Sequence, residues 1–189
     1  MHGKLFIFSA PSGAGKTSIV KALLAKHPWL EFSVSATSRP MRYGEKQGVD
    51  YYFMSPEEFR KRIEQNDFLE WEEVYPGSFY GTLRSEVTRI WAKGNHVVFD
   101  VDVAGGLKIK NQFGKNALAI FVMPPSIEVL ENRLINRKTE TEESLSKRLS
   151  KARYEIGFSD EFDIIIVNDQ LTVAIEEASE CVKQFVQKV

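Results

Sequence analysis

A run of small residues near the start of the chain has the composition and spacing of a loop that binds phosphate. It follows a short apolar segment, precedes a helical pattern, and consists of Ala10, Pro11, Ser12, Gly13, Ala14, Gly15, Lys16 and Thr17. Glycines let the backbone N–H groups of such a loop curl round a phosphate, which the positive end of the following helix also attracts. We expect Lys16 to reach the terminal phosphates and the Thr17 hydroxyl to bind Mg²⁺. Ala10 stands where the usual pattern has glycine and must keep a negative φ, but the run as a whole predicts a nucleoside triphosphate site rather than a plain strand-to-helix turn.

Two carboxylates, Asp100 and Asp102, end a second apolar run that begins at residue 97. An acidic residue at the end of a strand suits the metal side of a phosphate site, because Mg²⁺ prefers oxygen ligands and keeps several waters. We expect Asp100 to hold Mg²⁺, partly through water. Asp102 is expected on the opposite side of the strand or at the site of a second substrate. A turn or cap is the alternative role for each.

The elements that must position these residues alternate along the chain in the manner of an α/β protein. Continuous apolar runs, typical of strands covered by helices on both faces, occupy residues 4–9, 96–102, 117–123 and 163–167. Apolar residues at helical spacing occupy residues 16–26, 56–63, 82–93, 126–138 and 171–187. This order predicts a mainly parallel central sheet flanked by helices.

Two segments fit the pattern of the core poorly. Residues 33 to about 79 are rich in aromatic residues, glycine and short alternating stretches, which predicts a small inserted β-rich subdomain. Residues 133–157 are polar and basic, and a helical segment with so little apolar surface has the low local stability that suits a mobile lid. We therefore expect one domain over residues 1–189, with a core (1–32, 83–132 and 158–189), an inserted subdomain (33–82) and a lid (133–157).

Several motifs in a fixed order resemble the guanylate kinase family of phosphate-loop nucleoside monophosphate kinases. They are SVSATSRPMRYGE at residues 33–45, GVDYYF at 48–53, FLEW at 68–71, FYGT at 79–82 and KTETEES at 138–144. The last departs from its relatives, which often carry glycine at the position of Lys138. The resemblance covers nearly the whole chain and implies the phosphate-loop NTPase fold, with a GMP-binding subdomain and a lid. It also implies transfer of a phosphate from MgATP to GMP, giving ADP and GDP.

The resemblance further implies a set of residues that bind GMP. Its members are Ser35, Arg39, Arg42, Tyr51, Glu70, Tyr80, Thr82 and Asp102. The two arginines and two tyrosines would hold the phosphate of GMP, since guanidinium groups bind phosphate in a bidentate manner. The Glu70 carboxylate would accept hydrogen bonds from guanine N1–H and the 2-amino group, and Ser35 and Thr82 would complete the reading of the base. Adenine has an acceptor at N1 and no 2-amino group, so such a site would reject it.

The resemblance also implies a second set of residues, which would bind the donor ATP and assist the transfer of its phosphate. Lys16, Arg137 and Arg148 would be catalytic, while Arg133 and, more weakly, Asn168 would join residues 10–17 in binding ATP. The acceptor is a phosphate monoester that is already anionic, so no general base and no covalent intermediate are required. The protein's part would be to align two anions and neutralise the charge between them.

Composition favours a small-molecule partner. Lys and Arg number 25 against 26 Asp and Glu, so the basic surplus of a nucleic-acid binder is missing. The single cysteine, Cys181, excludes an intrachain disulfide and is expected to pack in the core, as is Trp71. A short apolar start and the lack of a long apolar run predict a cytoplasmic protein with no membrane partner. A different nucleoside monophosphate kinase and a non-catalytic guanylate-kinase-like binding module are the alternatives, and both dGMP use and the choice of monomer or homo-oligomer stay open.

Overall fold

The computed structural model describes residues 3–136 and 142–187 and arranges this part of the chain as two sheets with flanking helices. The strands are β1 (Leu5–Ser9), β2 (Leu30–Phe32), β3 (Ala36–Thr37), β4 (Tyr52–Phe53), β5 (Phe68–Tyr75), β6 (Ser78–Leu83), β7 (His96–Asp100), β8 (Ala117–Met123) and β9 (Ile164–Val167). The helices are α1 (Lys16–Lys26), α2 (Pro56–Glu64), α3 (Arg84–Ala92), α4 (Val103–Phe113), α5 (Ile127–Ile135), α6 (Glu142–Ile156) and α7 (Leu171–Gln187). Short 3₁₀ turns lie at Gly114–Asn116 and Ser159–Glu161.

The large sheet is parallel throughout, with the strand order β2-β7-β1-β8-β9. Its two faces are both buried. Phe6 and Phe8 of β1 face α1 and α7, whereas Leu5 and Ile7 face a cluster that includes Val87 of α3. The whole of β1 is therefore inaccessible to water, as expected for a central strand between two helical layers. The predicted α/β fold with a mainly parallel sheet is confirmed.

The small sheet lies between β2 and α3 in the chain and has the order β4-β3-β6-β5. Its strands pair in an antiparallel manner except β3 with β4, and β5 and β6 form its hairpin. Phe59 of α2 covers it, stacked on Phe68 at 4.3 Å between ring centroids. The sheet coincides with the predicted inserted subdomain (33–82) except for Leu83, the last residue of β6, and the boundaries of the subdomain remain a prediction.

Some predicted elements begin or end elsewhere. The strand predicted over 96–102 ends at Asp100, and the helix predicted to begin at Thr82 begins at Arg84, because Thr82 pairs with Glu70 in the hairpin. The helix predicted over 126–138 is observed as Ile127–Ile135. Helix α4 was not predicted, since Gly105 and Gly106 weaken the helical pattern at its start.

Two predictions of burial have different outcomes. Trp71 was predicted in the core and is instead 40% exposed, because β5 is an edge strand of the small sheet; its ring lies 6.2 Å from that of Phe79. Cys181 packs partly buried against the core cluster of α1 and α7, as predicted. No helix in the described ranges is both long and apolar enough to cross a bilayer.

Candidate active site

The loop between β1 and α1 wraps round an open cavity of about 390 Å³, here called the loop cavity. Gly13 and Gly15 have φ values of 97° and 94°, which a side chain would strain. Asn66 is the one non-glycine residue with positive φ in the described ranges, so Ala10 keeps the ordinary backbone that was predicted for it. The loop also packs tightly, because a Cβ on Gly13 would lie 3.0 Å from side-chain carbons of Leu130 and Leu134.

Lys16, Thr17 and Asp100 meet at the floor of the loop cavity. The Lys16 ammonium lies 2.6 Å from Asp100 Oδ1 and donates to the carbonyl of Val101 at 2.7 Å. Thr17 Oγ1 donates to the other oxygen of the same carboxylate at 3.1 Å. Parallel pairing of β1 with β7 produces this meeting, since it places the carboxyl ends of both strands at one edge of the sheet.

Asp102 lies beyond the end of β7 and caps α4. Its Oδ1 accepts a hydrogen bond from the Gly105 N–H at 2.7 Å, and its carbonyl accepts one from the buried Ser9 hydroxyl at 3.0 Å. Of the two locations expected for Asp102, the side of the strand opposite Asp100 is wrong, whereas contact with a second substrate stays a prediction. Both residues line the loop cavity, and residues two positions apart would share a face even if the strand continued beyond Asp100.

Asn168 and Arg133 lie behind the loop and do not line the loop cavity. Asn168 is 4% exposed, and its amide donates to the carbonyl of Ala14 at 2.7 Å. Arg133 Nη2 donates in turn to the carbonyl of Asn168 at 2.9 Å. The arrangement supports the loop backbone, and the predicted contact of Asn168 with adenine stays a prediction.

Helix α6 forms a wall of the loop cavity with Arg148, Lys151 and Glu155. Arg148 Nη1 donates to the Ser12 hydroxyl at 3.3 Å, which brings this predicted catalytic residue to the phosphate loop. Burial raises the pKa of Glu155, although the charges of Lys151 and Lys16 lower it. Arg137, the other predicted catalytic arginine, lies outside the described residues, as does Lys138.

A second cavity of about 570 Å³ opens between the small sheet and the end of β7 and is here called the small-sheet cavity. Five residues predicted to bind GMP line it: Ser35, Tyr51, Glu70, Tyr80 and Asp102. The loop cavity and the small-sheet cavity adjoin, because they share as lining residues Ser12, Asp100, Val101, Asp102 and Lys151.

Glu70 and Thr82 meet across the β5–β6 hairpin. Thr82 Oγ1 donates to Glu70 Oε1 at 2.6 Å, and Thr82 itself is 1% exposed. Burial raises the pKa of Glu70, while the hydrogen bond from Thr82 lowers it in part. Thr82 therefore orients the carboxylate from behind and does not line the cavity wall.

Arg39 and Arg42 occupy different surroundings. The Arg39 guanidinium lies 5.0 Å from the centre of the Tyr51 ring and 2.6 Å from Glu45, which raises its already high pKa. The side chain of Arg42 is exposed, and its backbone N–H donates to the same Glu45 carboxylate at 2.7 Å. Arg39 thus adjoins the small-sheet cavity through Tyr51, whereas Arg42 lies away from it.

Three charged residues of the two cavities were not predicted as site residues from the sequence: Glu72, Lys151 and Glu155. Their positions along the sequence, relative to predicted site residues, could have identified them. Glu72 follows Glu70 by two positions on one strand, so the two side chains share a face. Lys151 and Glu155 follow Arg148 by three and seven positions, which places all three on one side of a helix.

Comparison with known proteins identifies relatives of this chain by sequence and by structure. Residues 2–188 match the family model described as Guanylate kinase. The guanylate kinase of Bacteroides thetaiotaomicron is 54% identical over 188 residues, 100% of this chain and 92% of that protein. The guanylate kinase of Porphyromonas gingivalis is 50% identical over 186 residues, 98% and 99% of the two chains. The crystal structure of guanylate kinase from Anaplasma phagocytophilum has a TM-score of 0.78 at 30% identity and covers 99% of this chain and 88% of its own.

Proposed function

The chain belongs to the guanylate kinase family, and on that premise we propose which of its residues hold the two nucleotides and assist the transfer between them. Its activity is the ATP-dependent phosphorylation of GMP to GDP, on a phosphate-loop NTPase fold. One observation supports the assignment of residues: the loop cavity and the small-sheet cavity share a wall that includes Asp100 and Asp102, and the Lys16 ammonium of the loop cavity lies 2.6 Å from Asp100. Two nucleotides in these cavities would direct their phosphates toward one another.

ATP occupies the loop cavity in this proposal. Backbone N–H groups of the loop and the start of α1 face its phosphates, and Lys16 exchanges its bond to Val101 for one to a phosphate oxygen. Arg133 and Asn168 act from behind by fixing the loop backbone. Ala10 and Ala14 of the loop are buried, and the Ala14 N–H donates to the Pro11 carbonyl at 3.1 Å, so we expect the loop to bind the phosphates without large rearrangement.

The site fits Mg²⁺. Thr17 Oγ1 and Asp100 Oδ2 lie 3.1 Å apart and offer the oxygen donors that this ion prefers, with the carboxylate suited to acting partly through water. When bound, Mg²⁺ neutralises charge on the phosphates of the donor. Thr17 would hold it directly, and Asp100 would keep both Thr17 and Lys16 in position.

GMP occupies the small-sheet cavity. Glu70, oriented by Thr82, accepts from the guanine N1–H and 2-amino group, and Ser35 contacts the same base. Tyr51, Tyr80 and Arg39 bind the phosphate, and Arg42 must turn inward from its exposed position to join them. Asp102 faces both nucleotides from the shared wall.

Transfer proceeds in line, without a general base or a covalent intermediate. Lys16 and Arg148 reduce the negative charge between the two phosphates, and Arg137, outside the described residues, is proposed to join them. Lys151 lines both cavities and adds a further cation at the junction. Closure of α6 over the site would exclude water and so limit wasteful hydrolysis of ATP.

ADP release with MgATP tests the proposal, with GMP, dGMP, AMP, CMP and UMP offered separately to the parent protein, Lys16→Ala and Lys21→Ala. The parent protein should turn over guanine nucleotides only, and Lys16→Ala should lose roughly 10²–10³-fold or more in turnover. Lys21, exposed on the same helix, is the matched control. Near-normal turnover by Lys16→Ala would contradict the assignment of the loop cavity to ATP. Preference for another monophosphate would contradict the assignment of the small-sheet cavity to GMP. Cytoplasmic location stays a prediction.

A further inference from the structure

Glu86, in the first turn of α3, is a buried carboxylate that the proposed mechanism does not use. Its side chain is 2% exposed. Oε2 accepts from the backbone N–H of Val34 at 2.8 Å, and Oε1 accepts from the Tyr52 hydroxyl at 2.8 Å. Arg89 donates to both oxygens, at 2.7 Å from Nε and 2.9 Å from Nη2. Every side of this carboxylate is thus hydrogen-bonded.

The partners of Glu86 lie where the small sheet joins the core. Val34 stands between β2 of the large sheet and β3 of the small sheet, and Tyr52 belongs to β4. Helix α3 itself follows β6, the strand through which the chain returns to the core. The Glu86 side chain therefore links the first turn of α3 to the connection between β2 and β3 and to strand β4.

These partners are next to residues that line the small-sheet cavity. Val34 precedes Ser35 and Tyr52 follows Tyr51, and the backbone N–H of Tyr52 donates to the carbonyl of Ser35 at 2.9 Å. Fixing Val34 and Tyr52 consequently fixes the backbone from which both cavity side chains extend. Glu86 reaches neither side chain itself and can influence them only through these neighbours.

Glu86 is held as an anion. Burial would raise the pKa of its carboxyl group, but the hydrogen bonds from Arg89, from the Val34 N–H and from Tyr52 outweigh burial and lower it. Arg89 is shared with Glu31, which also accepts from Lys93 at 2.7 Å and from Asn95 at 3.0 Å. Glu31, which lies in β2, therefore accepts a hydrogen bond from the same arginine but forms none with Val34 or Tyr52.

We propose that Glu86 is a positioning residue for GMP, which sets Ser35 and Tyr51 through its bonds to Val34 and Tyr52. The proposal rests on the proposed function, because it takes the small-sheet cavity as the GMP site. We do not expect the donor site to depend on Glu86, since none of its hydrogen-bond partners among the described residues lines the loop cavity. Its loss should therefore change the kinetics of one substrate and spare the other.

The test compares Glu86→Gln with Glu31→Gln in steady-state kinetics for both substrates. An amide group cannot accept from Arg89 and Tyr52 with both of its heavy atoms, so Glu86→Gln should raise the KM for GMP roughly tenfold, with the KM for MgATP unchanged within about twofold. Glu31→Gln weakens the same arginine network and should leave both KM values near those of the parent protein. A KM for GMP in Glu86→Gln that matches the Glu31→Gln value would overturn the proposal, as would equal increases for both substrates.

Tyr52→Phe provides a second measurement if Glu86→Gln does not fold, because it removes one bond to the carboxylate and keeps the ring. It should raise the KM for GMP roughly threefold or more without raising that for MgATP. Ser35→Ala and Tyr51→Phe separate the two levels of inference. If they raise the KM for GMP while Glu86→Gln and Tyr52→Phe do not, the GMP site stands and the role of Glu86 is wrong. If they have no effect, the proposed GMP site is wrong and the role of Glu86 fails with it.

Discussion

Glu72 and Asp102 form a carboxyl pair at the junction of the two cavities. The hydrogen bond between the two groups, burial and the charge of Asp102 together raise the pKa of Glu72 to about 7. Burial acts to raise the pKa of Asp102 as well, but the hydrogen bonds from Glu72 and from the Gly105 N–H lower it. The shared proton therefore resides on Glu72 below about pH 7, and the pair then presents one negative charge to the phosphates rather than two.

This pair predicts a pH dependence of stability. Between its ordinary pKa of 4.5 and the raised value of about 7, folded Glu72 keeps a proton that the unfolded chain releases. Its stabilising contribution is thus complete below pH 4.5 and is lost as the pH rises to about 7. We expect Glu72→Gln, which cannot titrate, to gain in melting temperature relative to the parent protein as the pH rises from about 5 to about 8.

Thermal unfolding across that range measures the difference, with Glu73→Gln as the control. Glu73 is an exposed carboxylate on the same strand, and its side chain accepts from the Gly77 N–H, away from Asp102. A difference between Glu72→Gln and the parent protein that does not change with pH would contradict the assignment of the proton to Glu72.

At this scale the sequence predicts best where the chemistry depends on close neighbours. Lys16 and Thr17 are adjacent, and their meeting with Asp100 follows from the parallel pairing of two recognisable strands. Glu72 could not be assigned in this way, because its properties arise only where β5 approaches the start of α4. Asn168 has a backbone partner in the loop that no sequence pattern reveals, whereas its contact with adenine stays a prediction.

Among the elements, α4 connects the core to the acceptor side through two consecutive glycines that lie against different neighbours. A Cβ on Gly105 would lie 2.9 Å from both Asp102 Oδ1 and Glu70 Oε2. A Cβ on Gly106 would lie 2.5 Å from the Ser9 hydroxyl oxygen and 3.1 Å from Ile7 Cγ2, in the fully buried strand β1. Gly105 therefore leaves space for the Glu70 carboxylate, the proposed guanine contact, whereas Gly106 leaves space for the close packing of α4 on β1.

Alanine at these two positions should have separable effects. Gly105→Ala should displace the Glu70 carboxylate and raise the KM for GMP roughly tenfold, while the helical preference of alanine, about 1 kcal/mol, offsets the crowding. Gly106→Ala should lower the free energy of unfolding by about 1–3 kcal/mol, because β1 cannot move, and leave the KM for GMP near its parent value. Urea denaturation and steady-state kinetics measure both quantities. If the two variants behave alike, α4 does not divide its contacts in this way.

The same glycines explain which elements could be predicted. Helices α1 and α7 carry continuous apolar spacing, and their observed bounds equal the predicted ones. Helix α4 has its N-cap in Asp102, but glycine is a poor helix former and conceals the pattern there. The start of α3 was placed two residues early because the hairpin holds Thr82 and Leu83 in a strand, and such long-range pairing overrides local helical preference.

Across the whole molecule, the apolar core is distributed unevenly between the large sheet and α6. The cluster on one face of the large sheet joins β1, β7, β8, α1 and α7. Helix α6 reaches α5 through a much smaller cluster, in which its own fully enclosed residues are Leu149 and Ala152. Fewer buried apolar contacts mean a lower free energy of local opening, so α6 is the described helix beside the loop cavity with the least support from the core.

Hydrogen exchange of the backbone amides therefore should distinguish α6 from the large sheet. Bound nucleotides would contact Arg148 and Lys151 and add the support that the small cluster lacks, so MgADP with GMP should slow exchange throughout α6. Amides of β1, whose side chains are all inaccessible, should exchange slowly with or without nucleotides and serve as the internal control. Each nucleotide alone should give a smaller effect, since α6 lines the junction of both cavities. Exchange in α6 that is as slow without nucleotides as with them would mean that the helix is already held by the core, and closure over the substrates would then have to come from the movement of the small sheet.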